Sequence, residues 1–390
     1  MRAAARNQAT VAGAGPALPP LDYLLILAAL ALLGLGLVMV ASASLHRIPD
    51  APFHYIVRHL VALGLGLGGA VAVALLPMSF WERSGTTLYF IGLLLLGLVL
   101  LPGVGREANG AVRWIPLGPF NLQSSEFMKL FLVVYMAGYL VRRQQEVATS
   151  VWGFIKPMIL LILAAVLLLL QPDFGTTAVL MATAMGMLFL GGVPLWQFGV
   201  LLALAVSALA GLVLVSPYRL QRITAFLDPW ADVQNSGYQL AQALIAFGRG
   251  EWFGVGLGAG IQKQFYLPEA HTDFLMAVIG EELGLLGTVT VILLFGVIVW
   301  RAFRIGAGAE SRSRFAAYVA QGFGLWIGLQ AFINIGVNVG LLPTKGLTLP
   351  LMSYGGNSLI VACLVIGILV RIDYETRRSP AGEGKSWVRA

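Results

Sequence analysis

The chain has 390 residues, of which 58% are hydrophobic and only 11% are charged, and its mean hydropathy is +0.84. Several apolar runs exceed the roughly 18 to 20 residues that cross the hydrocarbon core of a bilayer, which excludes a soluble globular protein and predicts a polytopic membrane protein. The formal net charge is +7, but no basic patch is interleaved with aromatic residues, so nucleic acid is not predicted as a partner. The single cysteine and the four histidines show neither a disulfide framework nor the spacing of transition-metal ligands.

In chain order, windows of about 19 residues predict ten membrane-spanning segments. Their ranges are 22–43, 56–76, 86–102, 124–141, 156–171, 175–192, 194–215, 274–300, 315–341 and 347–370. The segments are continuous apolar blocks, and backbone polar groups in lipid must bond within their own segment, so the spans are predicted to be helices rather than barrel strands. The expected fold is an all-α polytopic membrane protein with ten transmembrane helices.

Lysine and arginine residues predict the orientation. An even number of spans places both termini on one side, and most Lys and Arg residues of the tails and short loops lie on that side. The positive-inside rule therefore predicts a cytoplasmic N-terminal tail (1–20), a membrane domain (21–371) and a cytoplasmic C-terminal tail (372–390). The long extracytoplasmic, periplasmic loop at 216–271 is too long for an incidental connection, so function is expected on the outer face.

Polar residues with candidate roles first occur around the fourth span. Arg113 stands beside Trp114, a pair that usually anchors a protein at the membrane interface, although an outer arginine also suits a pyrophosphate. Glu126 and Lys129 are spaced i, i+3 and share a helix face, and each alone would cost roughly 2.5 to 3.5 kcal/mol at mid-bilayer. A structural ion pair and a role in binding an anionic head group are equally favoured.

The long loop contains a candidate helix and a glycine-rich run. In YQLAQALIAF, Leu240, Leu244 and Phe247 form one apolar helical stripe, which predicts a short helix lying at the membrane interface. The following GVGLGAG run does not satisfy GxGxxG and has no βαβ setting, so flexible or closely approached backbone is predicted instead of a dinucleotide site.

The loop ends in YLPEAHTDF, which places Asp273 where the eighth span begins. On these residues alone a structural role is favoured over catalysis. Thr272 would be the helix N-cap and Asp273 would lie in the first turn, where a carboxylate stabilises the helix dipole by roughly 0.3 to 1 kcal/mol. Glu281 and Glu282 lie roughly 12 Å further along, inside the apolar run, and are harder to explain as surface groups.

A polar stripe follows the ninth span and leads towards Lys345, a further outer cation. Gln330, Asn334 and Asn338 are each separated by four residues and therefore share one helix face. Such a ladder either forms hydrogen bonds between helices or lines a wet cavity, and the cavity is slightly favoured.

Six segments together resemble the SEDS family of bacterial envelope proteins: NGAVRW, QSSEFMK, QPDFGTT, GYQLAQALIAFGRGEWFGVGLG, IQKQFYLPEAHTDF and GLLPTKGLTLPLMSYGGNS. The match runs in order from about Leu21 to Arg371. YLPEAHTDF and PTKGLTLPLMSYGG resemble the cell-division members more than the elongation members. The chain departs from the family wording at Ser124, Ala259, Gly260 and Asn357, none of which is the acid or one of the cations.

The resemblance implies a peptidoglycan glycosyltransferase that polymerises lipid II into glycan strands at the division septum, in the bacterial cytoplasmic (inner) membrane. It implies a class B penicillin-binding transpeptidase as partner, with other divisome membrane proteins. A lipid II flippase, an elongation-type polymerase and a non-catalytic scaffold remain the alternatives. No internal repeat or matching pair of broken spans supports the flippase.

The resemblance also implies roles for individual residues. Asp273 matches the family's essential loop aspartate and becomes the expected catalytic base, which overrides the helix-cap interpretation. The expected substrate-binding residues are Arg113, Glu126, Lys129, Glu269, Asn338 and Lys345. Some of the three cations would stabilise the leaving undecaprenyl pyrophosphate, with or without a divalent cation (Mg²⁺ or Mn²⁺), and Glu269 would orient Asp273 or share that cation. No organic cofactor is expected, and no metal ligands are assigned.

Overall fold

The computed structural model describes residues 21–108, 111–118, 120–194, 196–200, 202–203, 207, 211, 226–235, 237–343 and 346–378. In this part of the chain the elements are α1 (Tyr23–Ser44), α2 (His54–Leu75), α3 (Met78–Val99), β1 (Arg106–Ala108), β2 (Ala111–Leu117), β3 (Phe120–Gln123), α4 (Ser124–Arg142), α5 (Gln144–Thr149), α6 (Val151–Leu170), α7 (Phe174–Leu190), α8 (Tyr238–Gly250), a short π-helix (Gln262–Tyr266), α9 (Leu275–Ala309), α10 (Arg314–Asn338) and α11 (Gly356–Arg378).

Among the described residues, eight helices are long and apolar enough to cross a membrane: α1, α2, α3, α4, α6, α9, α10 and α11. The apolar α7, with 17 residues, is shorter. These nine helices match nine of the ten predicted spans, and most of the remaining span, 194–215, lies outside the described residues. The prediction of an all-α polytopic membrane protein is confirmed.

Several predicted boundaries are wrong, and three of them have a clear physical reason. The third span starts at Met78 rather than 86, because Glu82 and Arg83 lower the hydropathy of its first turns. The eighth continues past residue 300 to Ala309, since a helix need not end where its apolar window does. The tenth starts at Gly356 rather than 347, because residues 346–355 form a non-helical segment, called the strap here, which includes Pro350.

The helices pack around α4. Its apolar residues from Met128 to Leu140 are almost all buried, whereas α2 and the second half of α9 expose large apolar side chains, as lipid-facing helices do. The end of the bundle where α1 and α10 finish and α2, α9 and α11 begin is called the loop end. Asn338 of α10 contacts Ala277 of α9 there, and Ser42 of α1 contacts Glu282.

A small antiparallel sheet, which the sequence analysis did not predict, covers the loop end between α3 and α4. Its strand order is β1-β2-β3, and Trp114 pairs with Gln123 in the β2–β3 register. β3 runs directly into α4 at Ser124, so the sheet holds the start of the central helix. The strands are short, and β2 contains a proline, Pro116, so their sequence signal is weak.

The predicted loop helix exists as α8, but its apolar stripe packs on protein rather than lipid. Leu240 and Leu244 approach Gly340, and Phe247 lies against Gly280 of α9. Beyond α8, a Cβ atom at Gly254 would lie 2.1 Å from the Glu282 carbonyl oxygen, so the prediction of closely approached backbone is confirmed.

Candidate active site

A cavity of about 800 Å³ opens at the loop end of the bundle. Four parts of the chain form its walls: α2, the sheet with the start of α4, the turn that precedes α9, and the strap with the start of α11. Its charged lining residues are Arg58, Arg113, Glu269 and Asp273. Three of these four are residues that the sequence analysis singled out; Arg58 is not.

The turn at 269–274 presents Asp273 to the cavity. The backbone N–H groups of Thr272 and Phe274 donate to the Glu269 carbonyl oxygen at 3.1 and 3.2 Å, and the Thr272 hydroxyl donates to the Glu269 carboxylate at 2.8 Å. The cap position of α9 is Phe274, with no side-chain cap. The expectation that Thr272 caps this helix is therefore wrong, because its hydroxyl is used inside the turn.

Two asparagines of α10 hold the backbone of Asp273. The side-chain amides of Asn334 and Asn338 each donate to the Asp273 carbonyl oxygen at 2.9 Å. Asn338 also accepts a hydrogen bond from the N–H of Ala277 at 3.1 Å, in the first turn of α9. Asn338 thus contacts backbone and does not line the cavity. Asn334 and Asn338 of the predicted polar stripe connect α10 to the start of α9.

The electrostatic setting of Asp273 raises the pKa of its carboxyl to about 7. Burial is the largest cause of the raised pKa, and the carboxylates of Glu269 and Asp173 raise it further. The positive charge of Arg113 lowers the pKa and so offsets part of this effect. A carboxyl with a pKa near 7 can both bind and release a proton at physiological pH, which suits a general base.

Arg113 lies on β2 and faces the same cavity, as does Trp114. Its guanidinium donates to the carbonyl oxygens of Gln171 and Pro172 at 3.2 and 2.6 Å, in the connection between α6 and α7. These two bonds fix the guanidinium, and its remaining N–H groups are free to bind an anionic substrate group.

Glu126 and Lys129 form an ion pair of 2.9 Å inside the bundle, with side chains only 6% and 2% exposed. The Lys129 ammonium also donates to Gln330 at 2.8 Å and lies 5.0 Å from the centre of the Trp326 ring. The pair does not line the described cavity. It is connected to the cavity through Gln330, whose amide donates to the carbonyl of Thr348 in the strap.

Lys345, one of the predicted cations, lies outside the described residues. The strap that follows it does line the cavity, through Gly346 and Thr348. A Cβ atom at Gly346 would lie 3.2 Å from a carboxylate oxygen of Asp273. The start of the strap and the candidate base are therefore in contact.

A second polar cluster fastens the loop to α9 without reaching the cavity. Glu282 forms an ion pair of 2.6 Å with Lys263, and both side chains are almost fully buried. Ser42 of α1 donates to Glu282 at 2.8 Å, and Glu281 pairs with Arg249 at 3.0 Å. These contacts explain the two glutamates that the sequence analysis could not treat as surface groups.

Several residues of the cavity wall are not predicted from the sequence. Arg58, His59 and Tyr354 line it on the α2 and strap side, together with Asn121, Gln123 and Asn357. Arg58 lies near the start of α2, and the sequence marks it only as one of several cations expected near the outer face. Tyr354 belongs to the segment wrongly assigned to the last helix.

Two carboxylates of the cavity are candidate ligands for a divalent cation. No group of three or more His, Cys, Asp or Glu side chains that could hold a metal ion occurs within the described residues. Glu269 and Asp273 both line the cavity, and Mg²⁺ is commonly held by one or two carboxylates together with substrate phosphates. This donor pair fits a cation that arrives with a phosphorylated substrate.

The chain is similar to several known proteins. It is 59% identical over 380 residues, 95% of each chain, to the probable peptidoglycan glycosyltransferase FtsW of Allochromatium vinosum. A chain of a peptidoglycan synthase complex that coordinates polymerization and crosslinking superposes with a TM-score of 0.77 at 31% identity, covering 92% of this chain and 99% of that one. The rod shape determining protein RodA of Thermus thermophilus gives a TM-score of 0.68 at 31% identity, covering 92% of this chain and 98% of that one.

The family model described as cell cycle protein, which covers FtsW, RodA and SpoVE, matches residues 23–378. That range contains every described helix and the whole cavity wall. The chain therefore belongs to the FtsW, RodA and SpoVE family of cell cycle proteins, the SEDS family that its motifs resemble.

Proposed function

We propose that this chain, a peptidoglycan glycosyltransferase like its named relatives, polymerises lipid II into glycan strands with Asp273 as the base. The observation that carries the proposal is the placement of Asp273, with its pKa raised to about 7, on the wall of a cavity that also holds Arg113. The proposed base and the arginine that would stabilise the leaving group thus line the same cavity, which is large enough for a sugar substrate.

The apolar part of the cavity supports a lipid-linked substrate. Val57, Val61 and Leu65 of α2 line the cavity and are 55%, 44% and 50% exposed, so this stripe faces lipid. Spaced by four residues, they form a continuous apolar edge about 12 Å long on one face of α2. A polyprenyl tail can therefore stay in the bilayer while its pyrophosphate and sugars occupy the polar chamber.

The proposed reaction takes place in the polar part of the cavity. The Asp273 carboxylate takes the proton of a sugar hydroxyl on one lipid II molecule as that oxygen attacks the anomeric carbon of the growing strand. The bond between that carbon and the pyrophosphate oxygen breaks, its electron pair leaves with undecaprenyl pyrophosphate, and the configuration inverts. Arg113 stabilises the leaving charge, so no general acid is required.

A divalent cation, Mg²⁺ or Mn²⁺, fits this proposal. Glu269 would help to hold it, and the cation would supply additional neutralisation of phosphate charge. Without a cation, Glu269 acts on Asp273 directly. The two carboxylates repel each other, and this repulsion raises the pKa of Asp273.

The cellular setting extends the proposal. The protein is a multi-pass membrane protein, and we place its termini in the cytoplasm, its cavity on the outer face and its work at the division septum. A class B penicillin-binding transpeptidase that crosslinks the new strands is the proposed partner. The support is the distribution of Lys and Arg and the likeness to a chain of a peptidoglycan synthase complex.

The test is polymerisation of labelled lipid II by the purified protein with its penicillin-binding partner. Wild type should yield long glycan strands, Asp273→Ala none, and Glu107→Gln, an exposed carboxylate on β1, strands like those of wild type. Near-normal strands from Asp273→Ala would remove the base assignment. Absence of strands from every variant, with active lipid II flipping in vesicles, would favour a transporter.

A further inference from the structure

An apolar groove lies away from the active-site cavity, between α1, α2 and α11. It has a volume of about 230 Å³, and its lining residues on these helices fall within 26–33, 67–74 and 363–370. Because α1 begins and α2 and α11 end opposite the loop end, the groove runs from the middle of the bundle towards that opposite end. At 1.5 Å per residue it is about 10 Å long. Leu351 of the strap also lines it.

The groove is open to the bilayer. Leu30, Leu67 and Val71 line it with exposed side chains, while Ala29 and Cys363, which also line it, are buried. All of its lining residues are apolar, since a free cysteine behaves as a small hydrophobic group. A groove of this composition on a membrane-spanning bundle suits a hydrocarbon chain, and it offers no polar partner to a sugar, a nucleotide or a metal ion.

Arg371 stands at the opening of the groove on the side of the chain termini. It follows Val370, the last lining residue of α11, and its Nη1 donates to the carbonyl oxygen of Ala74, the last lining residue of α2, at 3.3 Å. Its Nε donates to Glu375 at 2.7 Å. The Nη2 group has no hydrogen-bond partner among the described residues, so its two N–H bonds remain available beside the opening.

The surrounding charges leave this opening positive. Three ion pairs lie at this end of the described bundle: Arg301 with Asp22 at 2.5 Å, Arg371 with Glu375 at 2.7 Å, and Arg377 with Asp373 at 2.8 Å. Arg378 donates to the Tyr374 hydroxyl and has no carboxylate partner within the described residues. Arg371 and Arg378 each lie 5.6 Å from the centre of the Tyr374 ring. Two guanidinium groups are therefore close together, with Glu375 to balance only one of them.

The groove and Arg371 match the two parts of a phospholipid. An acyl chain can lie along the groove while phosphate oxygens accept hydrogen bonds from the Nη2 group of Arg371, whose planar donors suit a phosphate. A net anionic head group is favoured over a zwitterionic one, because the ammonium of a zwitterionic head group would meet the excess positive charge of Arg371 and Arg378.

We infer that this groove binds one anionic phospholipid from the leaflet on the side of the chain termini, with its phosphate on Arg371 and an acyl chain extending towards Leu351. The site is separate from the cavity that holds Asp273, since no described residue lines both. The inference therefore does not depend on the proposed glycosyl transfer.

The head-group contact can be tested by native mass spectrometry of the purified full-length protein in detergent. The protein is titrated with phosphatidylglycerol or phosphatidylcholine of identical acyl chains, and the Kd of the first bound lipid is measured. Wild type should bind phosphatidylglycerol about tenfold more tightly, which is the effect of one charge-assisted contact. Arg371→Gln should reduce this preference to within about twofold, because Glu375 then balances Arg378.

Two further variants control for this result. Arg371→Lys keeps the charge and should keep most of the preference for phosphatidylglycerol. Arg83→Gln removes an exposed arginine of α3 that does not line the groove, and it should leave the preference unchanged.

The groove itself can be tested by filling it. Ala70→Leu places a larger side chain at a lining position of α2 and should weaken the binding of both lipids about tenfold. Ala72→Leu makes the same change at an exposed position of α2 that does not line the groove, and both Kd values should stay within about twofold of wild type. Thermal melting in detergent checks folding, and Ala74→Leu replaces Ala70→Leu if that variant unfolds.

Glu375→Gln separates an effect of charge from damage to the site. It removes the carboxylate that competes with a phosphate for Arg371, so it should tighten the binding of phosphatidylglycerol several-fold, whereas damage would weaken it. Equal Kd values for the two lipids in wild type, or a preference that survives in Arg371→Gln, would overturn the head-group assignment. Equal effects of Ala70→Leu and Ala72→Leu would overturn the assignment of the groove.

Discussion

Asp273 combines exposure to a substrate cavity with a carboxyl that holds its proton more strongly than an ordinary aspartate. Burial in the bundle and the neighbouring Glu269 raise the pKa of this carboxyl, and Arg113 limits the increase. His271, two residues away, has the opposite tendency: burial, chiefly, lowers its pKa to about 4, so it is neutral at physiological pH. The group of this turn that titrates near pH 7 is therefore the aspartate.

The rate of strand synthesis should consequently rise with pH, and the midpoint of this rise, or limb, should lie near pH 7. The reason is that only the deprotonated Asp273 accepts a proton. Glu269→Gln removes a like charge that raises the Asp273 pKa, so it should move this limb to lower pH. The measurement is the initial polymerisation rate against pH at saturating lipid II.

Glu107→Gln serves as the matched control, since this exposed carboxylate does not line the cavity. Its limb should coincide with that of wild type. A limb that stays in place in Glu269→Gln, or moves to higher pH, would show that Glu269 does not set the proton affinity of the base.

At the scale of elements, the loop-end turn of α10 holds Asp273, the proposed base. Asn334 and Asn338 clamp the Asp273 carbonyl, and Asn334 also donates to the carbonyl of Leu347 in the strap at 2.6 Å. One helix face thus connects the base to the strap that follows Lys345. The amides are saturated by backbone groups, which leaves little of them for substrate.

Asn338→Ala should therefore lower kcat about tenfold and leave the KM for lipid II within about twofold, since a misplaced base costs more than a lost contact would. Steady-state polymerisation kinetics provide the measurement. Gln321→Ala, which removes an amide at the other end of α10, is the control. A rise in KM with unchanged kcat would instead support the original expectation that Asn338 binds substrate.

A second element, α9, bends where the loop is attached. Gly284 has a φ of +67°, and the N–H groups of Leu285 and Leu286 donate to the carbonyls of Glu251 and Trp252 rather than within the helix. The Glu282–Lys263 pair closes the same junction. The contacts between the loop and α9 therefore stabilise both the bend and the position of the loop.

Lys263→Met should destabilise the protein by about 3 to 5 kcal/mol, because it leaves the Glu282 charge buried and unpaired. The double variant Lys263→Met with Glu282→Gln should recover a large part of that loss. Thermal unfolding in detergent measures both. Additive losses in the double variant would show that the two side chains do not stabilise the fold as a pair.

At the scale of the whole molecule, the cavity opens sideways into the bilayer along α2. Val61→Lys would place a charge on this edge and should reduce strand synthesis several-fold by disfavouring the polyprenyl tail. Leu60→Lys is the control: Leu60 is 46% exposed on the same helix but does not line the cavity. Polymerisation in vesicles, normalised to inserted protein, compares the two. Equal losses would indicate a general insertion defect.

The sequence predicted what apolar runs can specify. Nine spans are predictable because each is predominantly hydrophobic along its length, and Asp273 stands out because it lies at the entry to one. Its expected catalytic role comes from the family resemblance, since on the residues alone a helix cap is the favoured explanation of an isolated aspartate. The place of Arg58 in the cavity, the strap and the sheet could not be found, because short strands, turns and a single charge are averaged away in a long hydropathy window.

The sideways opening changes what substrate concentration means for this protein. A substrate that enters from the bilayer is counted per lipid molecule, not per volume of water, so diluting a vesicle suspension leaves the supply at the cavity unchanged. Diluting lipid II with other lipids within the membrane lowers that supply directly. Growth of a strand is thereby tied to the local surface density of its precursor, which any neighbouring process that gathers or consumes that lipid can alter.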